Sequence, residues 1–123
     1  MADKLVSFPA TTNYIRYRDM WDLLWLKQQG EKIDVNLVSQ KLKDYKIDDF
    51  EKNLQARIDS LTNIIAKGNF HNEMKRFIPS SVYETSLGKE GFSSFLQDSL
   101  KDLLNQLRKE LYAENDKTNS FKL

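Results

Sequence analysis

The sequence predicts an all-α fold, and three features predict it. Apolar residues recur every three to four positions through Phe50, Leu54, Ile58, Leu61 and Ile65, and again through Phe92, Leu96, Leu100, Leu103, Leu107 and Leu111. No segment alternates apolar and polar residues with the β-branched content that a half-buried strand requires. The four glycines and both prolines fall outside these two periodic segments, where helices end. The expected architecture is a single irregular bundle of three main helices plus two short ones over residues 13–114. An extended N-terminal arm (1–12) precedes it and a mobile C-terminal tail (115–123) follows.

Residues 1–12 show no period and contain Phe8-Pro9, hence the extended arm, with Phe8 as its candidate anchor. Residues 13–29, NYIRYRDMWDLLWLKQQ, hold both tryptophans and form the first main helix, which Thr12 or Asn13 can cap and Gly30 can close. At 100° per residue Tyr14, Tyr17, Met20, Trp21, Leu24 and Trp25 share one arc of about 140°, while Ile15, Leu23 and Leu26 lie outside it. A helix apolar on two sides either sits among several neighbours or keeps one stripe for a partner.

Asp34 caps a short helix through Val35, Leu37, Val38 and Leu42 that ends near Asp44 or Tyr45. Asp48, with Glu51 three residues on, opens the second main helix, whose Ile64 joins the stripe from Phe50 to Ile65 before Lys67-Gly68-Asn69 ends it. Asn69 caps a second short helix that Pro79 stops. Residues 78–91 are the least regular interior segment and cross one end of the bundle, with Ser81 and Glu84 placed to close one helical turn. The last main helix runs from about Phe92 to Glu114.

The chemistry the composition excludes is broad. With no cysteine there are no disulfides, thiolate metal sites or thiol nucleophiles. His71 is the single histidine, and Glu73 two positions on faces elsewhere on a helix, so neither a zinc set nor a His-based catalytic pair can be assembled. Asp48/Asp49 and Asp98/Asp102 are explained by helix capping and by a polar helix face. Gly88-Lys89-Glu90-Gly91 lacks the spacing and the Lys-Ser/Thr pair of a phosphate loop. The sequence therefore points to no catalytic residue, no metal and no cofactor. The N-terminus lacks a signal-like apolar run, and Leu23 to Leu26 is the longest such run anywhere, so no membrane association and a cytoplasmic location are expected.

Nineteen basic residues oppose eighteen acidic ones and are spread evenly, with four against three over residues 1–30 and seven against seven over 31–69. This argues against the basic stripe of a nucleic-acid binder. By elimination the expected function is a non-enzymatic protein-interaction module: a binder, inhibitor, chaperone or assembly factor of the kind that phages and mobile elements carry, with another protein as partner. The Leu/Phe stripe of the last helix also allows a homo-oligomer. Phe70, Arg76 and Tyr83, on the irregular connection, and Trp25 are the expected partner contacts, being aromatic or arginine anchors. The alternative is a DNA-binding regulator with a helix-turn-helix-like unit at residues 34–61, reading DNA through Lys52, Asn53, Gln55 and Arg57.

Overall fold

Seven helices and no strand make up the described residues: α1 (Ala2–Ala10), α2 (Tyr17–Gln28), α3 (Val35–Asp44), α4 (Phe50–Ala66), α5 (Gly68–Phe77), α6 (Ser80–Glu84) and α7 (Phe92–Phe121). The structure, a computed structural model, describes residues 1–121, with side chains through Tyr112. All-α holds; three main helices and two short ones does not.

The centre is the pairing of α4 with α7, the most extensive contact between any two helices. Phe50, Leu54, Ile58, Leu61, Ile64 and Ile65 are all buried on α4, and Leu96, Leu100, Leu103, Leu104 and Leu107 meet them from α7. Spacing by three and four keeps each set on one helix face, so both stripes are consumed by one interface. The α7 stripe is therefore core over this span rather than a free dimer seam. α7 continues past Glu114 to Phe121, so the expected tail is helical over residues 115–121, and 122–123 lie outside the described residues.

α1 corrects the expected extended arm. Ala2, Leu5, Val6 and Pro9 are buried at the i, i+3, i+4, i+7 positions of a helix, with Phe8 fully enclosed beside them. Pro9 is compatible because it stands one residue from the helix end, where its missing N–H removes one backbone bond. α1 packs on α2, α3 and α4, so it belongs to the core. Lys41 of α3 ties down Asp3 at 2.7 Å; this bond and the ammonium charge hold the Asp3 carboxyl below its ordinary pKa and raise that of Lys41.

The first tryptophan helix begins four residues later than the periodicity implies. α2 starts at Tyr17 with Arg16 as its cap, so neither Thr12 nor Asn13 caps it. Its end is as expected: Gly30 takes φ +88°, with Gly30 N–H donating to the Lys27 carbonyl and Glu31 N–H to that of Leu26. Leu23, Leu24 and Met20 are buried, while Trp25 is 55% exposed. Asp34 caps α3 through the Leu37 N–H at 3.1 Å, as expected. In the α3–α4 turn Lys46 and Asp49 both adopt positive φ, and Asp49 rather than Asp48 precedes α4, without a side-chain cap. Past α5, the connection plugs the bundle with Ile78 and Leu87 and leaves Val82 outside. No helix of the described residues is long and apolar enough to cross a membrane.

Candidate functional site

The residues between α1 and α2 bend away from a helical path, and the bend has a polar cause. Asp19, in the first turn of α2, is 2% exposed. An ionised carboxylate at that depth requires partners, and it collects them from α1 and the connector. Ser7 Oγ donates to its Oδ2 at 2.8 Å, Arg16 Nε donates to the same oxygen at 2.6 Å, and Lys4 Nζ stands 3.4 Å from Oδ1. Lys4 and Ser7 are one turn apart on α1, so a single face of that helix supplies both. Lys4 also reaches Asp22 at 2.9 Å; that hydrogen bond is the first cause that raises its pKa, desolvation opposing it. The bond to Asp19 likewise raises the pKa of Arg16.

Above this buried anchor lies a cavity of about 440 Å³ lined by Tyr14, Arg16, Arg18, Asp19 and Glu73, with Ile15 and Tyr17. That volume is in the range of small-molecule sites, about 300–1,000 Å³. Arg16 Nε is committed to Asp19 and Nη1 donates to the Tyr14 hydroxyl at 3.1 Å, leaving its second Nη group for the cavity. Arg18 lies with its guanidinium 4.2 Å from the Phe77 ring centroid and its Nε 4.0 Å from Glu73. Two guanidinium groups, one preorganised by a buried carboxylate and one by an aromatic face, therefore stand at the N-terminal, electropositive end of α2. Such a pair of guanidinium groups has the chemistry to receive an anion, and an exposed phenol ring, Tyr14, stands at the rim.

Divalent-ion chemistry finds no matching donor set here. Asp19 is already occupied by two cations and a hydroxyl, Glu73 stands without a second free carboxylate, and no group of three His, Asp or Glu among the described residues could hold a metal. No catalytic step through a metal is assigned to these residues.

The residues singled out from the sequence are elsewhere. Phe70 is wholly buried, edge-on to Tyr17 and His71, which removes it from any partner surface. Tyr83 is half-buried, shares a 3.2 Å hydrogen bond with His71 Nδ1 and borders a second cavity of about 340 Å³ with Lys75, Ser80 and Glu84. His71 is thus half-buried and tied to Tyr83. Arg76 is exposed on α5, and Trp25 edges a small apolar recess with Trp21 and Phe92. The four do not converge. Of the helix-turn-helix set, Lys52 is exposed and Asn53 half-buried, Gln55 is engaged by Asp59, and Arg57 turns inward to the Thr11 carbonyl, so they offer no common reading face.

Residues 1–114 match the model of the family described as Nucleotidyl transferase AbiEii toxin, Type IV TA system. The chain belongs to this family of nucleotidyl transferase toxins. Comparison with curated proteins and with solved structures finds no match. Membership overturns the expectation of a non-enzymatic interaction or accessory protein, and with it the DNA-binding alternative. The expectation rested on missing metal, thiol and histidine motifs, and the absence of those motifs does not exclude an enzyme.

Proposed function

We propose that this chain takes part in nucleotidyl transfer by holding the phosphates of a nucleoside triphosphate in the Arg16/Arg18 cavity at the start of α2. The observation that carries this is one arrangement: a cavity of ligand size, two oriented guanidinium groups, and a buried carboxylate that fixes one of them. In nucleotidyl transfer an acceptor oxygen attacks the α-phosphorus and pyrophosphate leaves. Negative charge accumulates on the departing phosphates, and preorganised guanidinium donors in a partly desolvated site stabilise it. Arg16 supplies a fixed donor and Arg18 a second one that exchanges its distant contact with Glu73 for phosphate. Tyr14 offers a ring for the base to stack on. This substrate class points to the cytoplasm, where nucleoside triphosphates are made.

The test is equilibrium binding of a nucleoside triphosphate, followed through Trp21 and Trp25 fluorescence. Arg18→Ala removes a charge-assisted contact worth about 1.5–3 kcal/mol, so the dissociation constant should rise roughly ten- to a hundredfold. The melting temperature should hardly move, because the Arg18 side chain is 59% exposed. Equal binding by the wild-type chain, Arg18→Ala and Tyr14→Ala would remove this function.

A further inference from the structure

Arg57 is a half-buried arginine of α4 with no acidic partner within ion-pair distance among the described residues. Its Nη2 donates to the main-chain carbonyl of Thr11 at 2.8 Å, and its guanidinium carbon stands 5.3 Å from the ring centroid of the enclosed Phe8. Its Nε is buried without a partner. Burial lowers the pKa of this guanidinium, and the neighbouring Tyr17 acts the other way. Keeping an uncompensated charge half out of water is unfavourable, and a methionine would fill the same space without that cost. The arrangement needs a reason beyond packing.

The reason lies in what Thr11 begins. Thr11 ends α1 in an extended conformation, and the next five residues carry Tyr14 and Arg16 to the cavity before α2 starts. This connector has two polar anchors: Arg57 on the Thr11 carbonyl at one end, and Asp19 on Arg16 at the other. Asp19 fixes a side chain, whereas Arg57 fixes the backbone from which Tyr14 projects. We propose that Arg57 is a positioning residue for nucleotide binding: it pins the connector from α4 and so sets Tyr14 and Arg16 against the phosphates. The proposal rests on the cavity reading above. Arg57 touches no substrate and acts through the connector.

Arg57→Met keeps the apolar stem and deletes the donors, and Arg57→Lys keeps a charge able to reach one carbonyl. Three readouts are taken on the full chain: the dissociation constant for a nucleoside triphosphate, amide hydrogen exchange, and a double-mutant cycle with Tyr14→Ala. In Arg57→Met the amides of residues 12–16 should exchange faster while those of α4 and α7 keep their protection. The dissociation constant should rise about tenfold, with Arg57→Lys between this variant and wild type. In the Tyr14→Ala background the same change should cost less than threefold, because both act through one segment. A purely structural arginine would lower the melting temperature, yet its effect on affinity would be absent or would add in full to that of Tyr14→Ala; either result overturns the proposal. If Arg57→Met fails to fold, the decision passes to Arg57→Lys, and wild-type affinity there overturns it. Loss of binding in Arg18→Ala with none in either Arg57 variant sinks this inference alone. No binding by the wild-type chain sinks the cavity reading and the inference together.

Discussion

The α4–α7 interface and the junction of α1 with α2 are built from opposite materials. The first is a continuous apolar seam of leucine, isoleucine and phenylalanine with spacing that sequence alone exposes. The second is held by a carboxylate at 2% exposure ringed by Ser7, Arg16 and Lys4, whose partners come from positions 12 and 15 residues earlier and from a bend rather than a helix. Hydrophobic burial tolerates approximate geometry; a buried charge network does not, and leaves a defined shape above it. That contrast separates the part of this molecule that keeps it folded from the part that orients Arg16 and Arg18.

The comparison breaks most readily at the seam. Leu61→Ala or Leu104→Ala should cost about 2–5 kcal/mol in chemical denaturation, since each is fully buried. Losses below about 1 kcal/mol in both would mean that α4 and α7 are not the main source of stability. At the junction the expected effect is smaller. Asp19→Asn keeps the shape and removes the charge; because Arg16 and Lys4 retain access to water, the cost should be about 1–3 kcal/mol. The same variant should weaken triphosphate binding by freeing Arg16 to move. Unchanged affinity would separate the anchor from the site.

Titration sharpens the distinction further. The folded-state pKa of Lys4 is raised above 10.5, first by its hydrogen bond to Asp22. A base with a raised folded pKa contributes stability that is complete below its unfolded value and is lost as pH rises through the folded one. The junction should therefore weaken above about pH 10.5, by less than about 1 kcal/mol because Lys4 is 35% exposed and screened. Lys4→Met should flatten that alkaline part of a stability–pH curve. The buried leucine, isoleucine and phenylalanine side chains of the α4–α7 seam add no slope of their own. Tyr112 of α7 does: desolvation and then the Glu51 charge raise its pKa, and the alkaline slope this adds remains in Lys4→Met.

Legibility in the sequence follows the same divide. The stripes of α4 and α7, the Asp34 cap and the Gly30 stop were readable because each is local: a repeat spacing or a single residue with one conformational preference. α1 was hidden by Pro9, although Ala2, Leu5, Val6 and Pro9 already stood at helical spacing. The cavity was not readable from motifs, because Lys4, Ser7, Arg16 and Glu73 each look like solvated surface until the fold assembles them. One signal was present. Ile15, Asp19, Leu23 and Leu26 form the second stripe of the tryptophan segment, and a carboxylate in an apolar stripe demands buried partners. Reading function from missing motifs failed for a related reason. Guanidinium recognition of phosphate needs neither metal ligands nor nucleophiles, so their absence carried no weight against a transferase.

The smallest expected effect probes the cavity from its other wall. Glu73 lines it and stands 4.0 Å from Arg18 Nε, with 37% of its side chain exposed. At that distance and exposure the pair gives little stability, so removing the charge should leave the melting temperature almost unchanged. A bound polyphosphate, however, shares the cavity with this carboxylate and competes with it for Arg18. Repulsion between like charges about 6 Å apart in a water-like dielectric is about 0.7 kcal/mol before salt screening, and physiological salt leaves about half of it. Glu73→Gln should therefore tighten nucleoside triphosphate binding about twofold, with the gain shrinking as salt rises. A weaker complex would mean that Glu73 contacts the ligand favourably, through a ribose hydroxyl or a base amine. The phosphates would then lie nearer Arg16 than Arg18, and the role of second phosphate donor given to Arg18 would fall.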